Sequence, residues 1–446
     1  MANGNNDSQK KLPTPYTTAI YPLPDSKKTA GRETPDRRQV DSARVTTEAT
    51  QENNLSPETW EDLVQTLQAN RRRLLRIPGV TAVDIGYKIE KGEFTDEIAL
   101  RVHVERKLPD DSFKDHAHDL VPKEILSPGG NPVPLDVIEA EYKLVQLGLS
   151  PRPHVVLETP QERANRRRRI DPLVGGISIG SPQVPAGTLG ALVWDRIDGS
   201  ICILSNWHVL SGNLNAEVGT PCFQPGLFDQ GRSSDVVAYL KRWSFDRQTD
   251  AAIAELSGSR RYCTGEIVSM FQTIKESTDP YLGMKVRKSG RSTGFTGGFI
   301  DGLFFSAAIE YDNGIVQVFE DQIHIAPLYP EPISEPGDSG SVWVTSAPNE
   351  GYLAVGLHFA GDLPHSSFGE YALANPMSIV EEQLKFSFRP LYLELRDEDV
   401  TSAPPPPTPA AMQIQVGTGA QPLSVVLGGL TGTGTQPDQV RPGGGG

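Results

Sequence analysis

Cysteine is scarce: Cys202, Cys222 and Cys263 are the only three among 446 residues. An odd, sparse set does not support a disulfide framework, so reduced and mostly buried thiols are expected. No run of about 18 apolar residues occurs, which leaves no candidate for a membrane-spanning helix. Met1-Ala2-Asn3-Gly4-Asn5-Asn6-Asp7 lacks a basic segment followed by an apolar core. No signal peptide is read there, and a cytoplasmic location is the expectation. Basic charge is in deficit too. A net charge of −14 speaks against binding along a phosphate backbone, so no nucleic-acid partner is expected. Hydrophobic residues make up 37% of the chain, against 43 Gly and 37 Pro. That is lean for a fully folded chain, and disordered segments are expected. His116 and His118 have no Cys or Glu beside them at metal-ligand spacing, so neither a metal site nor a cofactor is expected.

What is present divides the chain. Residues 1–55 are polar, without apolar periodicity, and read as a disordered arm. A helix follows, with Ser56 as N-cap, Pro57 at the first helical position, and Trp60, Leu63, Val64 and Leu67 on one face. Arg71, Arg72 and Arg73 suit the negative end of the helix dipole and read as a solvated helix end. Val80–Tyr87, Glu97–Glu105 and Val133–Ile138 read as strands, with His103 on the polar face of the second. These elements make a small N-terminal α+β domain over 56–146. Residues 147–172 hold Pro151, Pro153, Pro160 and then Arg166–Arg169, and read as an exposed linker open to proteolysis. Over 173–390, short alternating or apolar segments such as Gly187–Asp195 are separated by glycines, which predicts an all-β barrel or sandwich. Met377–Leu384 has helical character and closes that domain. Residues 391–446, with Pro404–Pro407 and Gly443–Gly446, read as a low-complexity tail.

Three pieces of the β region carry chemistry. In Glu335-Pro336-Gly337-Asp338-Ser339-Gly340-Ser341, glycines frame a serine, as a sharp turn exposing its hydroxyl requires. Such a turn also aims backbone N–H groups at one point, where an oxyanion could sit. A hydroxyl is a weak nucleophile and needs a base. His208, in Ile203-Leu204-Ser205-Asn206-Trp207-His208-Val209-Leu210, stands at the end of an apolar strand. Asp250, in Thr249-Asp250-Ala251-Ala252-Ile253-Ala254, precedes another. A buried carboxylate orients a histidine, and the histidine deprotonates a serine attacking a carbonyl. Each piece alone is weak; His, Asp and Ser in that order within one all-β region is far more specific.

These residues resemble the chymotrypsin-like (trypsin-like) serine proteases, most of all the bacterial branch typified by the high-temperature-requirement proteases. Ile203–Val209, Asp250–Leu256 and Gly337–Ser341 are similar to that branch's three motif elements. The arrangement of N-terminal unit and protease also resembles narrow-leaf-type plant proteases and related bacterial trypsin-like peptidases. The resemblance covers about 173–388. It implies a double β-barrel, with His208 and Asp250 from the first barrel and Ser339 from the second. It implies an oxyanion hole from the N–H groups of Gly337 and Ser339, and a polypeptide as substrate. The pocket base would be Ile333, and one wall Phe359, Ala360 and Gly361. No acid stands at Ile333, so a small or medium apolar side chain is expected there rather than Lys or Arg. His358 and His365 read as structural. By resemblance a homo-oligomer is expected.

Arg169-Ile170-Asp171-Pro172-Leu173-Val174-Gly175-Gly176 is similar to a zymogen junction, whose new terminus would pair with Asp338. Ile170 stands out of register, so Asp338 is expected to hold the oxyanion loop without processing. The function expected is a serine endopeptidase working through a Ser-His-Asp triad and an acyl-enzyme. The rival is a protease-fold binding or scaffold protein, or a protease that cuts only itself.

Overall fold

The computed structural model describes residues 55–107, 121–140, 142–143, 158–212, 217–311, 314–328, 332–347, 351–362 and 371–390. The expected arm (save Leu55) and tail, and His116, His118 and His365, lie outside the described residues. All described residues fall within one compact unit, Met1–Asp397.

Helix α1 spans Pro57–Leu74, and the Ser56 side chain accepts a hydrogen bond from the Thr59 N–H at 3.1 Å. The bond satisfies one of the free amides of the first turn. Trp60, Leu63, Val64, Leu67 and Leu74 are buried in a core shared with Ile300, Ile323, Ile325 and Trp343 from the later half of the chain. Arg71 corrects the solvated-end reading. It is buried and ion-paired to Glu320 at 3.2 Å and to Asp321.

Strands β1 (Val80–Glu90) and β2 (Glu93–Val104) form an antiparallel hairpin. The sheet continues through β4 (Pro132–Glu139), parallel to β2, and ends at β3 (Glu124–Leu126). After it come β5 (Tyr142–Lys143) and α2 (Pro160–Asn165). The expected linker thus ends in a short helix, capped reciprocally by Thr159 and Glu162. Arg166, expected to be exposed, is buried against Glu158, Ser269, Ser289 and the Gly176 carbonyl. Two of these partners, Ser269 and Ser289, lie 103 and 123 residues along the chain, too far for local sequence to announce them.

The later strands are β6 (Leu173–Gly175), β7 (Ile177–Ser181), β8 (Val184–Leu189), β9 (Ala191–Asp195) and β10 (Ile201–Ser205). After helix α3 (Trp207–Leu210) come β11 (Pro221–Phe223), β12 (Val236–Phe245), β13 (Asp250–Leu256), β14 (Tyr262–Ile267) and β15 (Ile274–Ser277). Then follow β16 (Lys285–Gly290), β17 (Gly294–Glu310), β18 (Val316–Pro327), β19 (Val342–Ala347), β20 (Gly351–Asp362) and β21 (Ala372–Pro376). Helix α4 (Met377–Leu384) and β22 (Phe386–Ser387) close the described chain. Gly187–Asp195 is therefore two strands rather than one, broken at Gly190. A side chain there would run into the Gly340 carbonyl, 2.2 Å from where its Cβ would stand.

The strands make an 8-stranded sheet, β22-β9-β10-β13-β12-β11-β7-β8, a 12-stranded sheet whose main path is β16-β19-β20-β21-β18-β17-β1-β2-β4-β3, and a pair, β14 with β6. The seam between the N-terminal hairpin and the rest is β1 against β17, with Ala82 opposite Ala307 and Gly86 opposite Gly302. Beside it lies a closed polar cluster. Arg101 donates to Asp301 at 2.8 Å and also pairs with Asp84. His103, expected on a polar face, is buried instead: Nε2 is 3.1 Å from Asp84 Oδ1, and Nδ1 is 2.8 Å from the Tyr142 hydroxyl. That hydroxyl also meets His324 Nε2 at 2.9 Å, and His324 Nδ1 meets Asp301 at 2.7 Å. A polar side chain sits in this interior because every member finds a partner.

Candidate active site

Strand β10 pairs antiparallel with β13, Ser205 opposite Ala252. That register brings the residues after β10 alongside Asp250, and the Asn206 amide donates to the Asp250 carbonyl at 2.6 Å. His208 lies on α3, one helical turn beyond the strand end where the sequence put it. Trp207, stacked on Phe245 with ring centroids 4.1 Å apart, fixes that turn. The His208 N–H donates to Asp250 Oδ1 at 3.0 Å, and His208 Nδ1 is 2.5 Å from Asp250 Oδ2. A carboxylate accepts at Nδ1 only when that nitrogen carries the proton. This leaves Nε2 as the lone-pair nitrogen of the neutral ring. Asp250 is fully buried, whereas 16% of the His208 side chain remains exposed.

A third donor reaches Asp250: the Tyr311 hydroxyl, 2.6 Å from Oδ2. Burial first, and then the Asp250 charge, push the Tyr311 phenol well above its ordinary range, so it stays a donor. Its ring meets His208 edge-on at 5.8 Å. Nothing in the sequence singled Tyr311 out.

At the turn that carries Ser339, Gly337 and Gly340 have φ of 96° and 94°. That is the region glycine tolerates and side-chain-bearing residues resist. A Cβ at Gly340 would also stand 2.1 Å from Ser205 Oγ and 2.3 Å from the Thr188 carbonyl. Asp338 anchors the turn. It accepts from the N–H groups of Ser292, Thr293 and Glu335 at 2.8, 3.1 and 3.0 Å, and from the Thr293 hydroxyl at 2.6 Å. Its counter-charge is Lys288, whose Nζ is 2.9 Å from Oδ2, both side chains being fully buried. Burial raises the Asp338 carboxyl, but the Lys288 ammonium and the Thr293 hydroxyl outweigh it and hold the group well below the usual carboxylate range. Lys288 shares a face of β16 with Val286. A lone lysine at a core-facing position is the signal that the sequence offers for it.

The Ser339 hydroxyl donates to the Phe359 carbonyl at 3.4 Å, and no bond joins it to His208. The Ser339 carbonyl accepts from the Thr188 N–H at 2.8 Å. A Cβ built on Gly187 would lie 2.5 Å from Val209 and 3.2 Å from the Ser339 carbonyl, so α3 and the Ser339 turn flank the same residue. Among the described residues, the backbone N–H groups of Gly337 and Ser339 find no acceptor. Both residues are buried, and buried amides are normally paired.

Ile333 is buried and its carbonyl accepts from the Thr296 hydroxyl at 3.1 Å. Its side chain belongs to the core with Ile300 and Ile325. Phe359, Ala360 and Gly361 are buried along β20. His358 is buried, and burial, with Lys288 nearby, pushes it down to about 3, which keeps it neutral. None of the three cysteines is disulfide-bonded, and burial raises Cys202 to about 11 and Cys222 to about 12. Among the described residues, no group of His, Cys, Asp and Glu could hold a metal ion, and no helix is long and apolar enough to cross a membrane.

No family profile matches the chain, and no curated protein matches it. Solved structures similar to it include three proteases. Nocardiopsis protease is 17% identical over 48% of this chain and 97% of its own, with a TM-score of 0.36. Cellulomonas bogoriensis chymotrypsin is 17% identical over 49% of this chain and 98% of its own, with a TM-score of 0.35. A glutamic-acid-specific serine protease is 18% identical over 48% of this chain and 99% of its own, with a TM-score of 0.37. Likeness of this degree does not carry an activity from one protein to another.

Proposed function

We propose that the chain is a serine endopeptidase of chymotrypsin-like, double-barrel design, with Asp250, His208 and Ser339 as its triad. The observation that carries this reading is the Asp250–His208 pair, set close to a glycine-framed serine whose own amide and that of Gly337 are unpaired. In this reading Asp250 holds the His208 ring and stabilises the imidazolium that forms. His208 Nε2 takes the Ser339 proton as Oγ attacks the carbonyl carbon, and the oxyanion settles on the two amides. The C–N bond breaks, and the leaving amine takes the proton from His208. Water, deprotonated by the same nitrogen, then releases the acyl group from Ser339. Phe359, Ala360 and Gly361 form the substrate wall, and Ile333 closes the pocket base against an apolar side chain.

A fluorophosphonate probe is expected to label Ser339, and Ser339→Ala to abolish labelling and lower peptide turnover by about 10⁴–10⁶. Labelling that persists in Ser339→Ala refutes the assignment.

A further inference from the structure

One edge of β20 is used twice. Strand β19 pairs along it as far as Val342 opposite Leu357. The nucleophile segment extends that pairing by one step: the His358 N–H donates to the Ser341 carbonyl and the Gly340 N–H to the His358 carbonyl, both at 2.9 Å. Strand β21 takes the opposite edge as far as Gly361 opposite Ala372. Past His358, therefore, the first edge is given up by the nucleophile segment, and Phe359 marks the point where it passes Ser339. An extended peptide with a carbonyl at Ser339 needs main-chain partners beside it, and this stretch of edge is what lies there.

That edge already has a resident. Gly361 pairs with Lys143 and Asp362 with Tyr142, antiparallel, so β5 lies on the edge that β21 leaves open. Gly361 stands two residue steps from Phe359, about 7 Å at the rise of a strand. The antiparallel sense directs the C-terminal end of β5 toward Phe359 and the serine. The resident is also firmly held, because the Tyr142 hydroxyl is bonded into the buried cluster through His103 and His324.

We propose that β5 occupies the strand-docking edge of the cleft in cis, so that a foreign polypeptide enters only when Tyr142–Lys143 leaves β20. The proposal rests on the catalytic reading above and adds an occupant to it. A tethered occupant competes with substrate but leaves the filled site unchanged. It therefore raises KM by the factor by which it depletes open molecules, and does not lower kcat.

The test is Lys143→Pro, which removes a strand N–H and strains the pairing without touching the triad. With a fluorogenic tetrapeptide, KM is expected to fall at least about fivefold with kcat within about twofold. Fluorophosphonate labelling of Ser339 in wild type and variant shows that both sites are intact. An unchanged KM with labelling preserved overturns the cis occupant and leaves the catalytic reading standing. Loss of labelling in wild type overturns the catalytic reading itself. Should the variant fail to fold, hydrogen exchange on the wild-type chain decides. Saturation with an acetylated tripeptide aldehyde is expected to deprotect the amides of 142–143, and unchanged protection with the aldehyde bound overturns the proposal.

Discussion

Replacing Lys288 by methionine tests what holds the turn that carries Ser339. The variant keeps the length and apolar stem of the side chain and removes its charge. Lys288 Nζ lies 2.9 Å from Asp338 and 3.0 Å from the Thr293 hydroxyl, and both partners of the ion pair are fully buried. At an effective dielectric constant near 20, unit charges that close attract by about 6 kcal/mol, and burial of the ammonium takes part of this back. Asp338 would keep its donors from Ser292, Thr293 and Glu335. Removing one partner of such a buried pair costs about 3–5 kcal/mol. The sign with pH follows from the carboxyl. In wild type it is held below its ordinary value, so its contribution is complete at neutral pH and is lost only as pH falls through that depressed value. In the variant, burial acts without the ammonium and the carboxyl rises. Acid then protonates it and relieves the unpaired charge. Urea unfolding followed by tryptophan fluorescence is therefore expected to show a deficit of about 3–5 kcal/mol at pH 7.5 that shrinks at pH 4.5. Lys288→Met/Asp338→Asn should recover at least about 2 kcal/mol of it, because no charge is then stranded. A deficit under about 1 kcal/mol at pH 7.5, or one equal at both pH values, refutes Lys288 as the counter-charge.

Tyr311→Phe removes one of the donors to Asp250 and is expected to lower kcat by about tenfold while leaving KM within twofold, the loss of one hydrogen bond to a charged group. Peptide kinetics check it, and a KM-only effect would place Tyr311 at the substrate instead. Gly340→Ala meets both a left-handed backbone and the Ser205 hydroxyl. A loss of at least about 2 kcal/mol in urea unfolding, with little fluorophosphonate labelling remaining, is expected; wild-type stability would contradict the turn geometry.

Local chemistry was what the sequence made legible. Ser56 and Pro57 announce α1 because a cap and a fixed φ act within one turn. The strands of the later half announce themselves by alternation and by the glycines between them. His208 and Asp250 were legible as a pair because one follows the end of a strand and the other opens a strand, and β10 and β13 turn out to be neighbours. What stayed hidden depends on residues far along the chain. Arg71 reads as a solvated helix end until β18 brings Glu320 and Asp321 to it. His103 reads as solvent-facing until Tyr142 and Asp84 close over it. Tyr311 looks like any strand-end aromatic, since its role lies wholly in where its hydroxyl arrives.

The seam between β1 and β17 bears on how this chain could be shortened or inherited. A molecule begun at Glu158 would retain His208, Asp250 and Ser339, the residues of the proposed triad. It would also lay bare the flank of β17 that pairs with β1, an unprotected ladder inviting aggregation. Asp301 would lose Arg101, and His324 would lose the Tyr142 hydroxyl. The smallest heritable piece is accordingly larger than the half that holds His208, Asp250 and Ser339. Recombination near residue 146 would separate two segments that cannot each finish their own sheet.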